Sequence, residues 1–129
     1  RRLAESALAK IGTQFDGLSG DWTAGVAMPG GDFKVDGVAP MIADLQREYT
    51  FLTARWAQRL VRAYGTDARI ILGEAMGEDF GATLTAAELT WLKTHEFARS
   101  AEDVIWRRSK LGLRLCDDQI AKIDSFMRS

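Results

Sequence analysis

The chain has few residues equipped for chemistry, and their spacing decides what each can do. His95 is the only histidine and sits beside Glu96. An imidazole can act as a general base near neutral pH, but a lone histidine has no partners for a histidine-rich metal site, so a structural or surface role is expected. Cys116 is the only cysteine. As a nucleophile it would need a base and an electropositive setting; Leu113 and Leu115 before it predict a half-buried small hydrophobe instead. No intrachain disulfide can form.

The glycines raise the question of phosphate binding. Gly73, Gly77 and Gly81 recur every four residues, which is not G-x-G-x-x-G, and no strand precedes them. Met28-Pro29-Gly30-Gly31 lacks the Lys-Ser/Thr pair of a P-loop. Both segments read as turns that need positive φ.

Two basic groups remain. Arg107, Arg108 and Lys110 are the densest. Arginine suits phosphate and anionic lipid headgroups, yet Asp103 lies four residues before Arg107, the favourable order for local pairing on a helix. Arg108 is expected to reach an acidic residue on another helix. Arg55, Arg59 and Arg62 share one helical face and read as solvated surface. The four tryptophans are too dispersed for a base-stacking platform and read as core or interface anchors.

The elements that must position these residues are almost all helical. Leu3, Ala4, Ala7, Leu8 and Ile11 have helical spacing, ended by Gly12. Residues 13 to 39 read as a long irregular connection anchored by Phe15, Trp22 and Phe33, because seven of the twelve glycines lie in it or at its edge. Pro40 suits a first helical turn carrying Ile42, Leu45 and Tyr49. Thr53 caps a helix through Trp56, Leu60, Val61 and Tyr64, stopped by Gly65. Ala68 to Ala75 reads as a short apolar helix. Thr85-Ala86-Ala87-Glu88 is a capping box, followed by Leu89, Leu92 and Phe97. Ser100 to Asp103 caps a segment with Val104, Ile105 and Trp106, and Asp117 a last helix through Ile120, Ile123 and Phe126. The fold class is all-α: a small orthogonal bundle of about five or six helices with a long N-terminal irregular loop.

Composition bounds the function. The 129 residues are 47% hydrophobic and 27% charged, enough for one domain with a real core. A net charge of -1 gives no basic excess for nucleic acid. No apolar run approaches the roughly 20 residues of a membrane span. The chain opens Arg1-Arg2 without a methionine or signal peptide and reads as a piece cut from a longer protein.

From Ala98 to Leu115 the chain reads A-R-S-A-E-D-V-I-W-R-R-S-K-L-G-L-R-L. This stretch resembles the C-terminal domain of aerobic, FAD-dependent glycerol-3-phosphate dehydrogenases and their oxidase relatives, most closely at Ala101-Glu102-Asp103 and Trp106 to Gly112. Arg2-Leu3-Ala4-Glu5, Met28-Pro29-Gly30-Gly31, Tyr64-Gly65, Gly77 to Gly81, Thr85 to Leu89 and His95-Glu96 follow the family in order. The resemblance implies a bacterial flavoprotein that oxidises sn-glycerol 3-phosphate to dihydroxyacetone phosphate. FAD takes the hydride, and electrons pass to quinone, or to oxygen in the oxidases. It implies three parts: residues 1–12 as the tail helix of a preceding FAD domain, 13–39 as a linker, and 40–129 as a helical cap. It also implies a partner in that FAD domain, a cytoplasmic, membrane-peripheral location, and room for a homodimer. No catalytic, cofactor-binding or metal residue is carried over. Glu102, Asp103, Arg107, Arg108 and Lys110 are expected to form a buried ion-pair network over Trp106, fixing the last helices. The alternative is a free-standing helical interaction module.

Overall fold

The structure is a computed structural model that describes residues 1–15, 17, 20 and 22–129. Six α-helices are present among them: α1 (Arg2–Ile11), α2 (Val38–Glu48), α3 (Ala54–Tyr64), α4 (Ala68–Leu72), α5 (Ala86–His95) and α6 (Asp117–Arg128). A π-helix covers Asp103–Arg108, and short 3₁₀ turns cover Gly12–Gln14, Gly65–Asp67 and Leu111–Leu113. No strand forms among the described residues; one isolated bridge joins Asp79 to Thr85. The all-α expectation holds.

α3 is the centre of the core because its apolar residues fall on one stripe. Trp56, Ala57, Leu60, Val61 and Tyr64 are all buried, which is the period expected of a helix half sunk in a core. Thr53 starts it, its hydroxyl accepting from the Trp56 N–H at 3.3 Å. α2 lies against it through Leu45. Leu84, Leu89, Leu92, Val104 and Ile123 close the far side, fully buried. Each such side chain contributes on the order of 1.5–3 kcal/mol by leaving water.

The helix ends mostly follow the sequence reading, with instructive differences. α4 stops at Leu72 rather than Ala75, because Gly73 turns the chain at φ +48°. α6 begins one residue earlier than expected, with Cys116 as its N-cap and its backbone N–H donating to Gln119 Oε1 at 3.0 Å. Cys116 is therefore exposed, not half-buried; Leu113 beside it is exposed too. Ser100 and Asp103 do form a reciprocal cap: the Asp103 N–H donates to Ser100 Oγ at 3.2 Å, and Asp103 Oδ2 accepts from the Arg99 and Ser100 N–H groups at 3.0 and 3.1 Å.

Phe97 does not continue the apolar face of α5. It lies past the end of that helix at φ +58°, with its ring exposed. That backbone lets the Ala98 N–H return to the Leu92 carbonyl at 3.0 Å. A residue with a Cβ is strained there by roughly 1–2 kcal/mol. Phe97→Gly is expected to raise stability by about 0.5–1 kcal/mol net of glycine's larger unfolded-state freedom, read as a higher urea midpoint at unchanged slope.

The described residues between the Gly12–Gln14 turn and α2 are irregular, as the glycines predict, but Phe15 and Trp22 do not anchor them, since both are exposed. Their anchor is the Pro29-Gly30-Gly31 turn with Phe33. The Gly30 carbonyl accepts from the Thr66 N–H at 2.9 Å. Gly30 and Gly65, at φ +69° and +56°, bring their backbones together so closely that a Cβ on Gly65 would stand 1.8 Å from the Gly30 oxygen. α1 has no buried residue. It is tied to the loop by Glu5, which accepts from the Thr23 N–H and Oγ1 at 2.9 and 2.6 Å. Those Thr23 bonds hold its carboxyl below the usual range.

Candidate functional site

Among the described residues, the most heavily bonded polar group joins α3, α5 and the turn between α4 and α5. Arg59 comes from α3 and Glu88 from the first turn of α5. The Arg59 Nη1 and Nη2 atoms each donate to one Glu88 oxygen at 2.7 Å, a bidentate pair. The same guanidinium donates from Nε to Thr83 Oγ1 at 2.9 Å and from Nη2 to the Thr83 carbonyl at 2.6 Å. The Tyr64 hydroxyl donates to Glu88 Oε1 at 2.7 Å. The Glu88 side chain is 2% exposed and that of Arg59 20%. No buried side-chain polar atom among the described residues lacks a partner.

The electrostatics follow from that burial. Removal from water works against the Arg59 charge, but the bonds and charge of Glu88 more than offset it, so the guanidinium is held above its usual value. Burial, and then the Glu88 carboxylate, push the Tyr64 phenol well above the ordinary tyrosine range. A phenol so placed stays protonated and serves as a donor.

Arg59 also fixes a strained turn. Ala82 and Thr83 follow one another at φ +51° and +68°, both left-handed. Such pairs of positive φ belong to type I′ turns, which normally need Asn-Gly. Here the Leu84 N–H closes the turn onto the Gly81 carbonyl at 2.9 Å. The Thr83 carbonyl and hydroxyl both meet Arg59. The guanidinium thus holds in place a backbone that Ala and Thr would not choose.

The sequence reading assigned these residues differently. From sequence, Arg59 groups with Arg55 and Arg62 as solvated surface, and Glu88 with Thr85 as a capping box. The Thr85 hydroxyl does accept from the Glu88 N–H, at 3.4 Å. The Glu88 carboxylate, however, turns into the core to Arg59 and Tyr64. The signal available was position: Arg59 follows Trp56 by three residues, on the edge of the apolar stripe, whereas Arg55 and Arg62 lie farther round the helix.

The five expected ion-pair residues do not form one buried network over Trp106. Arg107 pairs with Asp103 at 2.8 Å and Glu102 at 3.5 Å, but its side chain is 54% exposed. Asp103 is held below the usual carboxylate range first by the Arg99 N–H and by Ser100, with Arg107 adding least. Arg108 turns away and donates twice to the Glu96 carbonyl, at 2.9 and 2.6 Å, where it closes the C-terminal end of α5. The Glu96 carboxylate stands 3.8 Å off. Lys110 donates to the Trp106 carbonyl. The Trp106 ring lies over Gly112, whose Cβ, if present, would touch it at 2.7 Å. Exposed pairs at this spacing contribute about 0.3–0.5 kcal/mol. Arg107→Ala is therefore expected to cost about 0.5 kcal/mol in a thermal melt, not the several that a buried pair would; a fall of 3 kcal/mol or more would restore the buried-network expectation.

The remaining candidates are absorbed by structure. His95 stacks on Trp91 with centroids 3.9 Å apart, and its Nδ1 meets Thr94 Oγ1 at 2.7 Å. No group of three metal-ligating side chains occurs among the described residues. The glycine segments offer no dinucleotide cradle: Gly30 lies against the Tyr64–Gly65 backbone, and Gly81 against the Gln119 side chain. These residues do not fit FAD, and no step of hydride transfer is assigned to them. Fold and site together define an all-α domain whose best-bonded polar group ties α3 to α5.

Comparison with known proteins makes this specific. The chain belongs to the family described as the C-terminal domain of alpha-glycerophosphate oxidase, which matches residues 22–127. It is 38% identical over 132 residues to the aerobic glycerol-3-phosphate dehydrogenase of Escherichia coli (strain K12), a match covering 98% of this chain and 26% of that protein. It is 40% identical over 134 residues to the glycerol-3-phosphate dehydrogenase of Pseudomonas aeruginosa, covering 100% of this chain and 26% of the relative. The D-erythritol 1-phosphate dehydrogenase of Brucella abortus is 28% identical over 126 residues, covering 94% of this chain and 25% of the relative. The chain spans about a quarter of the length of these relatives.

Proposed function

We propose that this chain is the C-terminal helical domain of an FAD-dependent glycerol-3-phosphate dehydrogenase, and that it supports rather than performs the reaction. The observation that carries the reading is the pairing of coverage: nearly all of this chain aligns with about a quarter of each dehydrogenase. The whole protein would oxidise sn-glycerol 3-phosphate to dihydroxyacetone phosphate. The flavin, held by the rest of the polypeptide, supplies the hydride chemistry. Electrons would pass to quinone at the cytoplasmic membrane. Glycerol 3-phosphate is preferred over erythritol 1-phosphate because identity is higher to the glycerol-3-phosphate enzymes, 38% and 40% against 28%.

The role of the domain is proposed from its surface. In the proposed division, residues 1–12 close the FAD domain, 13–39 link, and 40–129 form the cap. The tail helix leaves Leu3 exposed by 84%, and the linking part leaves Trp22, Met28 and Val35 exposed by 61, 62 and 102%. Apolar side chains concentrated in one segment are suited to burial against another domain. The α2–α6 body would then stand on that contact.

The test uses the complete polypeptide, purified with its flavin. Anaerobic reduction of a soluble quinone by glycerol 3-phosphate is expected, with slower turnover on erythritol 1-phosphate. Preferential reduction by the four-carbon phosphate would overturn the substrate reading, and rapid oxygen consumption without quinone reduction would overturn the acceptor.

A further inference from the structure

The two basic groups that are separate in sequence meet in one concavity. The exposed flank of α3 supplies Arg55, Arg59 and Arg62, and the facing wall supplies Arg108, Lys110 and Arg114. The cleft encloses about 440 Å³, and no carboxylate is among its described lining residues. That is the size of a small-molecule site. Trp56, Leu111 and Leu113 add apolar surface to its walls.

The six cations are not equivalent. Arg59 is neutralised from behind by Glu88, and Arg108 is engaged with Glu96. Lys110 is held at the Trp106 carbonyl. The Arg55, Arg62 and Arg114 guanidiniums carry no ion-pair or hydrogen-bond partner among the described residues. Elsewhere on the chain Arg47, Arg69, Arg107 and Arg128 each meet a carboxylate. Arg1, Arg2 and Arg99 also meet no carboxylate among the described residues and lie outside the cleft, but Arg55, Arg62 and Arg114 bring three unneutralised guanidiniums into this one concavity of a chain of net charge -1. Its walls are also fixed, because Arg59 ties α3 to α5 and Arg108 ties the second wall to the end of α5. A concavity lined by guanidinium forks, with open space between them, has the chemistry that takes phosphate oxygens bidentately.

We propose that this cleft is a binding site for a small, soluble phosphate-bearing anion, gripped by Arg55, Arg62 and Arg114. Its concave shape favours a small phosphate ester over a flat lipid surface, and Trp56, Leu111 and Leu113 would receive the ester's carbon portion. The inference rests on this chain's residues alone and stands or falls independently of the enzymatic reading.

Equilibrium dialysis of the chain against labelled inorganic phosphate, at constant ionic strength in sodium chloride, tests it. Saturable binding of one phosphate per chain is expected. Arg55→Gln/Arg62→Gln/Arg114→Gln should weaken it roughly tenfold or more, since each charge-assisted contact supports about a tenfold change. These side chains are exposed, so the variant's helical circular dichroism and melt should stay unchanged. Arg47→Gln/Arg128→Gln, made elsewhere on the surface, should bind as the parent does. Non-saturable uptake, equal loss in the control variant, or equal affinity in the triple variant would overturn the proposal. So would binding to phosphatidylglycerol vesicles with none to inorganic phosphate, which would assign the cleft to a membrane surface.

Discussion

Glu88→Ala is expected to destabilise the chain by about 3–5 kcal/mol, the largest effect of any single side-chain truncation at its polar residues. Three losses coincide. The Arg59 guanidinium keeps its charge in a setting where only a fifth of its side chain is exposed. The Tyr64 hydroxyl loses its acceptor. Arg59 is then left with the Thr83 contacts alone, which tie α3 to the turn before α5 and not to α5 itself. Urea denaturation read by tryptophan fluorescence gives the difference. The double variant Arg59→Met/Glu88→Leu removes both charges in similar volume and should regain most of the loss, because replacing a buried pair whole is far cheaper than halving it. A Glu88→Ala loss below about 1 kcal/mol would mean that water reaches the pair and that it behaves like the exposed ones.

Gly65→Ala is expected to cost about 3 kcal/mol or more, from two independent terms. Its backbone lies at φ +56° and ψ −126°, a region that residues with a Cβ occupy only under strain of about 1–3 kcal/mol. The added methyl would also stand 1.8 Å from the Gly30 carbonyl oxygen, so the Pro29-Gly30-Gly31 turn must lift off. The Thr66 N–H then loses its bond to Gly30. Hydrogen exchange should show that amide opening, along with loss of protection around Phe33. Gly20→Ala is the matched control: no atom lies within 4 Å of its added carbon, and a change of at most about 0.5 kcal/mol is expected. Equal small effects at both positions would show that the loop is not seated on α3.

These two sites also show what the sequence could and could not disclose. Elements with a local cause were legible. Thr53, Ser100-Asp103 and Gly65 mark helix ends through bonds and dihedrals spanning a few residues, and the stripe from Trp56 to Tyr64 fixes which face of α3 is buried. Glu88 was not legible in its real role. Its capping position explains it locally, while its carboxylate answers to Arg59, 29 residues away. The same limit applies to Gly30 and Gly65, which read separately as turns and explain one another only when brought together. The expected network from Glu102 to Lys110 formed only in part, for the opposite reason: Arg107 does pair with Asp103 and Glu102, but at the surface. Sequence proximity supplied opposite charges, but the π-helix directs Arg107 to solvent while Arg108 turns back to the end of α5. The cationic cleft required both errors to be corrected, since it forms where the two basic groups face each other.

The central claim is that this domain works as one part of a larger flavoenzyme. The most direct measurement is an immunoblot of the native lysate with an antibody to residues 40–129, followed by absorbance spectroscopy of the reacting fraction. The account predicts a band several times larger than 14.3 kDa, travelling with a flavin spectrum that glycerol 3-phosphate bleaches under anaerobic conditions. A band near 14.3 kDa without flavin would contradict it and make the chain a free-standing helical module.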